Sequence, residues 1–169
     1  MMVKENEEPI FIDVQYKNAK GNDERILEKE IRKLLEDQPF AVFATQGKDI
    51  TDTSLISFAA SYDLKHLVFA TPVNTRKYDL VNSNGNVSIL VDDRSQQSSI
   101  NLISALTISG RARILSNAAE ILEWTGILTE KHPYLTAFVA APTTAVILVD
   151  VTQFNFVKKF QEVWKWDPR

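Results

Sequence analysis

A chain of 169 residues with 44% apolar content fits one soluble globular domain with its own core. Nineteen basic residues against 22 acidic ones give a net charge of −3, which argues against a general nucleic-acid binder. The lack of cysteine excludes disulfides, thiolate catalysis and Cys-ligated metals, and only two histidines, His66 and His132, are present, far apart in sequence.

The first residues, "MMVKENEEP", are charged and hold no apolar h-region, so no secretory signal is expected and residues 1–9 read as a loose tail. No run approaches 18 apolar residues, so no membrane span is expected. The default is a soluble, cytoplasmic protein.

"IFIDVQY" (10–16) reads as a short strand, followed by a turn. Ile26, Leu27, Ile31, Leu34 and Leu35 recur at helical spacing over 24–37, with Asp23 as N-cap and Pro39 as stop. The period then changes. "FAVFAT" (40–45), "TSLISFAA" (53–60) and "HLVFAT" (66–71) read as three strands joined by short turns. A short helix is expected from about 75 to 83, ended by a left-handed stop at Asn84-Gly85. "NVSILVD" (86–92) is a fourth strand, and 93–101 a polar loop.

"SALTISGRARIL" (104–115) alternates: Leu106, Ile108, Ala112 and Ile114 share one face with Gly110, and Thr107, Ser109, Arg111 and Arg113 share the other. A glycine in mid-strand predicts a bulge or sharp bend. Residues 117–130 read as a helix capped by Asn117, with a second helical piece over 133–139. "TTAVILVDV" (143–151) and "FNFVKKF" (154–160) are the last strands, or one long bent strand, before an aromatic tail. Strands at hairpin spacing with flanking helices predict a mainly β protein, a closed or nearly closed antiparallel barrel.

The chemistry concentrates at "FATPVNTRKYDL", where a strand hands over to a helix. A helix start offers unpaired N–H groups to an anion. Thr75 is a good cap type, Arg76 can grip two phosphate oxygens, Lys77 adds a mobile charge, and Thr71 can donate from the strand end. Together they make a pocket for a phosphate monoester. The alternative is a solvated basic pair, with Arg76 bonded to Asp79. No P-loop and no GxGxxG motif occurs.

The ordered set of a helix, "PFAVFAT", "TSLISFAA", "HLVFAT", a Thr-Arg-Lys helix start, "NGNVSILVDD" and "ALTISGRARIL" resembles the pyridoxamine 5′-phosphate oxidase-like, FMN-binding split-barrel family over about residues 24–160. The resemblance implies a six-stranded antiparallel split barrel, forming a homodimer with FMN at the subunit interface. It implies that Thr71, Thr75, Arg76 and Lys77 hold the flavin phosphate. It also implies that backbone groups of Ser54, Leu55, Ile56 and Ser57 bond the polar edge of the ring. Ala105 and Thr107 stand where pyridoxamine phosphate oxidases proper carry Gln and Arg, and their C-terminal Arg-x-His-Asp-Arg segment is missing. Pyridoxamine phosphate is therefore not the expected substrate.

Two functions follow as expectations. The first is an FMN-dependent oxidoreductase acting on a small organic molecule, with the deazaflavin F420 as a variant cofactor. The second is a non-catalytic protein of the same fold that binds or stores flavin or haem. Trp164 and Trp166 are read as a clasp for a partner subunit ahead of a flavin-stacking role. His66 is expected at the surface and His132 at a helix end.

Overall fold

The computed structural model describes residues 13–168. Eight strands and four α-helices follow in the order β1 (Gln15–Asn18), α1 (Asn22–Asp37), β2 (Phe40–Gln46), β3 (Thr51–Ala60), β4 (His66–Pro72), α2 (Arg76–Ser83), β5 (Asn86–Asp92), β6 (Ala105–Ile114), α3 (Ala118–Lys131), α4 (Thr136–Val139), β7 (Thr144–Lys158) and β8 (Glu162–Trp166). The sheet order is β1-β8-β7-β4-β3-β2-β5-β6, and β6 also pairs with β7. That last pairing closes β7-β4-β3-β2-β5-β6 into the expected six-stranded antiparallel barrel, with β8 and β1 extending one edge. No helix among the described residues is long and apolar enough to cross a membrane.

Side-chain alternation places the core. In β2 and β5 every second residue is buried, and Phe43 and Ile89 are fully enclosed. Phe58, Phe69, Ile108 and Phe154 fill the same interior, and the Phe43 and Phe69 rings lie 4.6 Å apart. Leu27, Ile31, Leu34 and Leu35 of α1 join that interior cluster. A second cluster sits outside the barrel wall, where Trp124 and Leu128 of α3 pack on Ala59, Val68, Val146 and Leu148. Residues 145–149 of β7 are consequently buried on both faces, and this is why "TAVILV" reads as an unbroken apolar run.

The chain departs from its sequence reading in several places. Residues 10–12 of the expected first strand lie outside the described residues, and the strand observed is Gln15–Asn18. Helix α1 starts after Gly21, in a left-handed conformation (φ 59°), so Asp23 lies in the first turn and is not the cap. Ile26 is exposed. Asn84 is extended (φ −149°), and Gly85 lies against the Ala112 carbonyl at 2.7 Å from where a Cβ would stand. The glycine there serves close approach and not a left-handed stop. The polar loop at 93–101 contains short 3₁₀ turns at Arg94–Gln96 and Ile100–Leu102.

Asn117 caps α3 as expected, accepting from the Ala119 and Glu120 amides at 2.9 and 3.2 Å. The two final strands are one, β7, and the register slips opposite Gly110: Ser109 faces Gln153, whereas Gly110 faces Val151. The extra residue, Thr152, is therefore on β7, and its hydroxyl donates to the Ser109 carbonyl at 3.0 Å.

The aromatic tail forms β8 antiparallel to β7. Trp166 stacks on Phe154 at 5.4 Å and donates to Glu24 at 3.0 Å. Trp164 donates to Glu162 at 2.6 Å, and both indoles pack against the barrel core. Within the chain, these tryptophans hold β8 against the barrel core and α1.

Candidate functional site

One seam of the barrel is only half sewn. Strand β3 pairs with the whole of β2, from Gln46↔Thr51 to Phe40↔Ser57. It pairs with β4 only through Phe58↔Phe69, Ala59↔Val68 and Ala60↔Leu67. From Thr51 to Ser57, β3 has no β4 partner. In an antiparallel strand, alternate residues turn their N–H and C=O to opposite edges. Half of the backbone groups over Ser54–Ser57 therefore face an open seam. The side chains divide too: Ile56 is buried in the core, whereas Leu55 is 68% exposed on the outer wall. Ser54 Oγ is buried and has no hydrogen-bond partner. A buried hydroxyl left without a partner costs free energy unless a ligand or water meets it.

Strand β4 carries its end to the same place. Thr71 is buried at 2% exposure, and its Oγ1 lies 3.0 Å from Thr75 Oγ1. The Thr75 hydroxyl donates to the Pro72 carbonyl at 2.9 Å, so Thr71 donates to Thr75. Thr75 holds the N-cap position of α2, but its side chain does not cap the helix. The Tyr78 amide bonds the Thr75 carbonyl at 3.1 Å, but the Thr75 side chain caps neither the Arg76 nor the Lys77 amide, which keeps the positive helix end available to an anion. Arg76 Nη1 reaches Asp52 Oδ1 of β3 at 3.4 Å, and the Arg76 side chain is 64% exposed. Its partner is thus Asp52 and not Asp79. Such an exposed, long ion pair is weak, on the order of 0–1 kcal/mol, so the guanidinium can exchange Asp52 for a phosphate. Lys77 forms no ion pair among the described residues.

The structure therefore brings Thr71, Thr75 and Arg76, with Lys77 next in the same helical turn, beside the β3 segment that holds Ser54–Ser57. A ligand with a doubly charged ester at one end and a flat polar-edged body would find cations at the corner and unpaired backbone groups along the seam. These features fit FMN. They would hold it by the phosphate at 71–77 and by the ring edge at 54–57.

Sequence reading missed a second group of residues here. His132 is 2% exposed, with Nε2 2.9 Å from the Phe58 carbonyl and Nδ1 3.2 Å from the Tyr134 hydroxyl. That hydroxyl lies 3.2 Å from Ser57 Oγ. Burial, helped by the charge of Lys131, lowers the His132 pKa against the carbonyl that favours its protonated form. His66 stands on the outer wall, 2.9 Å from Asp150, with its ring edge-on to Trp124.

Lys131 ties the ends of α1 and α3 together: its ammonium donates to the Leu35 and Gln38 carbonyls at 2.6 and 2.8 Å and lies 4.0 Å from the Phe58 ring centroid. It borders a cleft of about 520 Å³ with Arg32, Tyr62 and Ile127. Burial pushes its pKa from 10.5 down to about 8. Between those values the unfolded chain holds the proton that the folded chain has released. Stability contributed by this group therefore rises with pH from about 8 to 10.5. Lys131→Met is expected to flatten that rise in urea unfolding followed at several pH values across this window. An unchanged pH slope in the variant would contradict the assignment.

The closed six-stranded antiparallel barrel with its flanking helices defines a split-barrel fold. The profile of the pyridoxamine 5′-phosphate oxidase family matches residues 27–158, and the chain belongs to that family. Solved structures are similar in fold. A Clostridium acetobutylicum protein related to general stress protein 26 superposes with a TM-score of 0.66 at 14% identity, covering 85% of this chain and 95% of that one. A FAD-binding protein from Mesorhizobium loti gives 0.62 at 15% identity, covering 76% and 91%. A heme-binding protein from Mycobacterium smegmatis gives 0.73 at 12% identity; this match covers 82% of the chain but only 57% of that protein. No curated relative matches the chain by sequence.

Proposed function

We propose that this protein binds FMN, with the phosphate at Thr71, Thr75, Arg76 and Lys77 and the ring edge along Ser54–Ser57, and acts as an oxidoreductase on a small organic molecule. The observation that carries this reading is the unpaired run of β3 beside the uncapped, basic start of α2. When bound, the flavin supplies the redox chemistry. The chain's own share is to clamp the phosphate, orient the ring through fixed backbone groups and screen one face with the barrel wall. Flavin is favoured over haem at this seam because the imidazole beside it, His132, has both ring nitrogens engaged.

The test is an absorption spectrum of protein purified from flavin-replete cells, followed by titration with FMN. Bound flavin with its two near-ultraviolet and blue bands supports the reading. A Soret band, or no FMN binding at micromolar protein, defeats it. Anaerobic mixing of the FMN-loaded protein with NADH or NADPH then tests for electron transfer, read as flavin bleaching.

The same reading includes a homodimer. Leu55, Val42 and Leu90 lie directly opposite one another across β3, β2 and β5, forming an outer apolar row with the half-exposed Phe40 beside it. An apolar row of this kind on an outer wall fits a second copy better than solvent. Leu55→Glu is expected to shift the sedimentation of the protein from dimer to monomer. A wild type that sediments as a monomer with FMN bound would refute this part alone.

A further inference from the structure

We infer that Ser57 and Tyr134 form a ligand-recognition end that takes molecules bearing an O–H or N–H donor, because His132 sets the direction of every hydrogen bond behind them. The Phe58 carbonyl has lone pairs only, so the His132 Nε2 facing it at 2.9 Å carries the hydrogen. A neutral imidazole then has a bare Nδ1, which accepts. The Tyr134 hydroxyl, 3.2 Å away, must donate its single proton there. With that proton committed, the Tyr134 oxygen can only accept from Ser57 Oγ, 3.2 Å on the other side. Ser57 spends its own proton on that bond. What remains pointing outward is a pair of oxygens offering lone pairs alone.

The end of this chain is open: Tyr134 is 65% exposed, whereas His132 at its root is 2% exposed. Burial lowers the His132 pKa, which keeps the imidazole neutral and the direction of the chain constant near neutral pH. A hydroxyl or amine meeting these oxygens completes the chain, whereas an ether or ketone of the same shape sets acceptor against acceptor. Ser57 and Tyr134 touch the ligand, and His132 is a positioning residue. The two bonds at 3.2 Å are long for their type and leave room to tighten on a ligand.

The inference deepens the flavin reading by naming a substrate class, and so rests on it for the meaning of "substrate"; the polarity of the chain does not. Two measurements on the full chain, as purified and again after FMN addition, test it. Nitrogen-15 NMR of the His132 ring at pH 7.5 is expected to show the neutral Nε2–H form; the Nδ1–H form or the imidazolium overturns the proposal. Titration with phenol and with anisole, followed by amide chemical shifts, is expected to give phenol about a 5-fold advantage, the worth of one net hydrogen bond. Tyr134→Phe and Ser57→Ala should each reduce that advantage to about 1 to 2-fold. Equal binding of the two probes by the wild type, binding of neither, or an undiminished preference in both variants overturns it. Failure to bind FMN with the phenol preference intact would remove the flavin reading and leave the donor-selective site standing.

Discussion

Replacing Arg76 and Lys77 together by alanine is expected to weaken FMN binding about 100-fold while changing riboflavin binding less than about 3-fold, a loss near 2.7 kcal/mol confined to the phosphate. The magnitude follows from two charge-assisted contacts of roughly 1.5–3 kcal/mol each, discounted because the Arg76 side chain is 64% exposed. The uncapped amides at the start of α2 stay in place in the variant and retain part of the grip. Little stability is at risk, since the one ion pair lost is the 3.4 Å contact to Asp52. Fluorescence quenching titrations with the two flavins make the comparison. Parallel losses for FMN and riboflavin would mean that the substitutions disturb the fold or the ring seat, and the phosphate role would fall.

Gly110→Ala is expected to destabilise the barrel by about 2–4 kcal/mol, a large fraction of a typical domain's stability. A Cβ at this position would stand 2.6 Å from the Asp150 carbonyl oxygen and 2.7 Å from Val149 Cγ1. The oxygen belongs to backbone that cannot step aside, because Asp150 pairs with His66 of β4 on one edge and Arg111 of β6 on the other. The clash falls where β6 and β7 join to close the barrel and where the register already accommodates an extra residue. Gly126 in α3 is the control. A Cβ there meets nothing within 4 Å, so Gly126→Ala should be neutral or stabilising by up to about 1 kcal/mol. Urea denaturation of the three proteins decides it. A Gly110→Ala protein within about 0.5 kcal/mol of wild type would show that the seam can yield.

The second prediction concerns a place where one strand must find another, and such places are where sequence and structure part. The elements β2, β3, β4, β5 and β6, with α1 and α3, were legible because period and face are local properties. Alternation in "SALTISGRARIL" places Leu106, Ile108 and Ala112 inside whatever the partner strand, and the same residues are buried in the barrel. Asn117 announces α3 through a bond that reaches only three residues on. The corner at Thr71–Lys77 was legible for the same reason: its hydroxyls and cations lie within one strand–helix junction.

What only the tertiary structure decided depends on closure. Nothing in "TSLISFAA" says that its first half lacks a β4 partner while its second half has one, because pairing is a property of two strands and the twist between them. Arg76 took Asp52, 24 residues away, in place of its helical neighbour Asp79. Ser57 met Tyr134 across 77 residues, and no local spacing marks that encounter. The residues 145–149 lost their alternation because α3 and the barrel interior bury both faces of β7. Local patterning thus determined the strands, the helices and the charged corner. The open seam, the partner of each cation and the hydroxyl pair beside it were decided by how a closed sheet brings distant residues face to face.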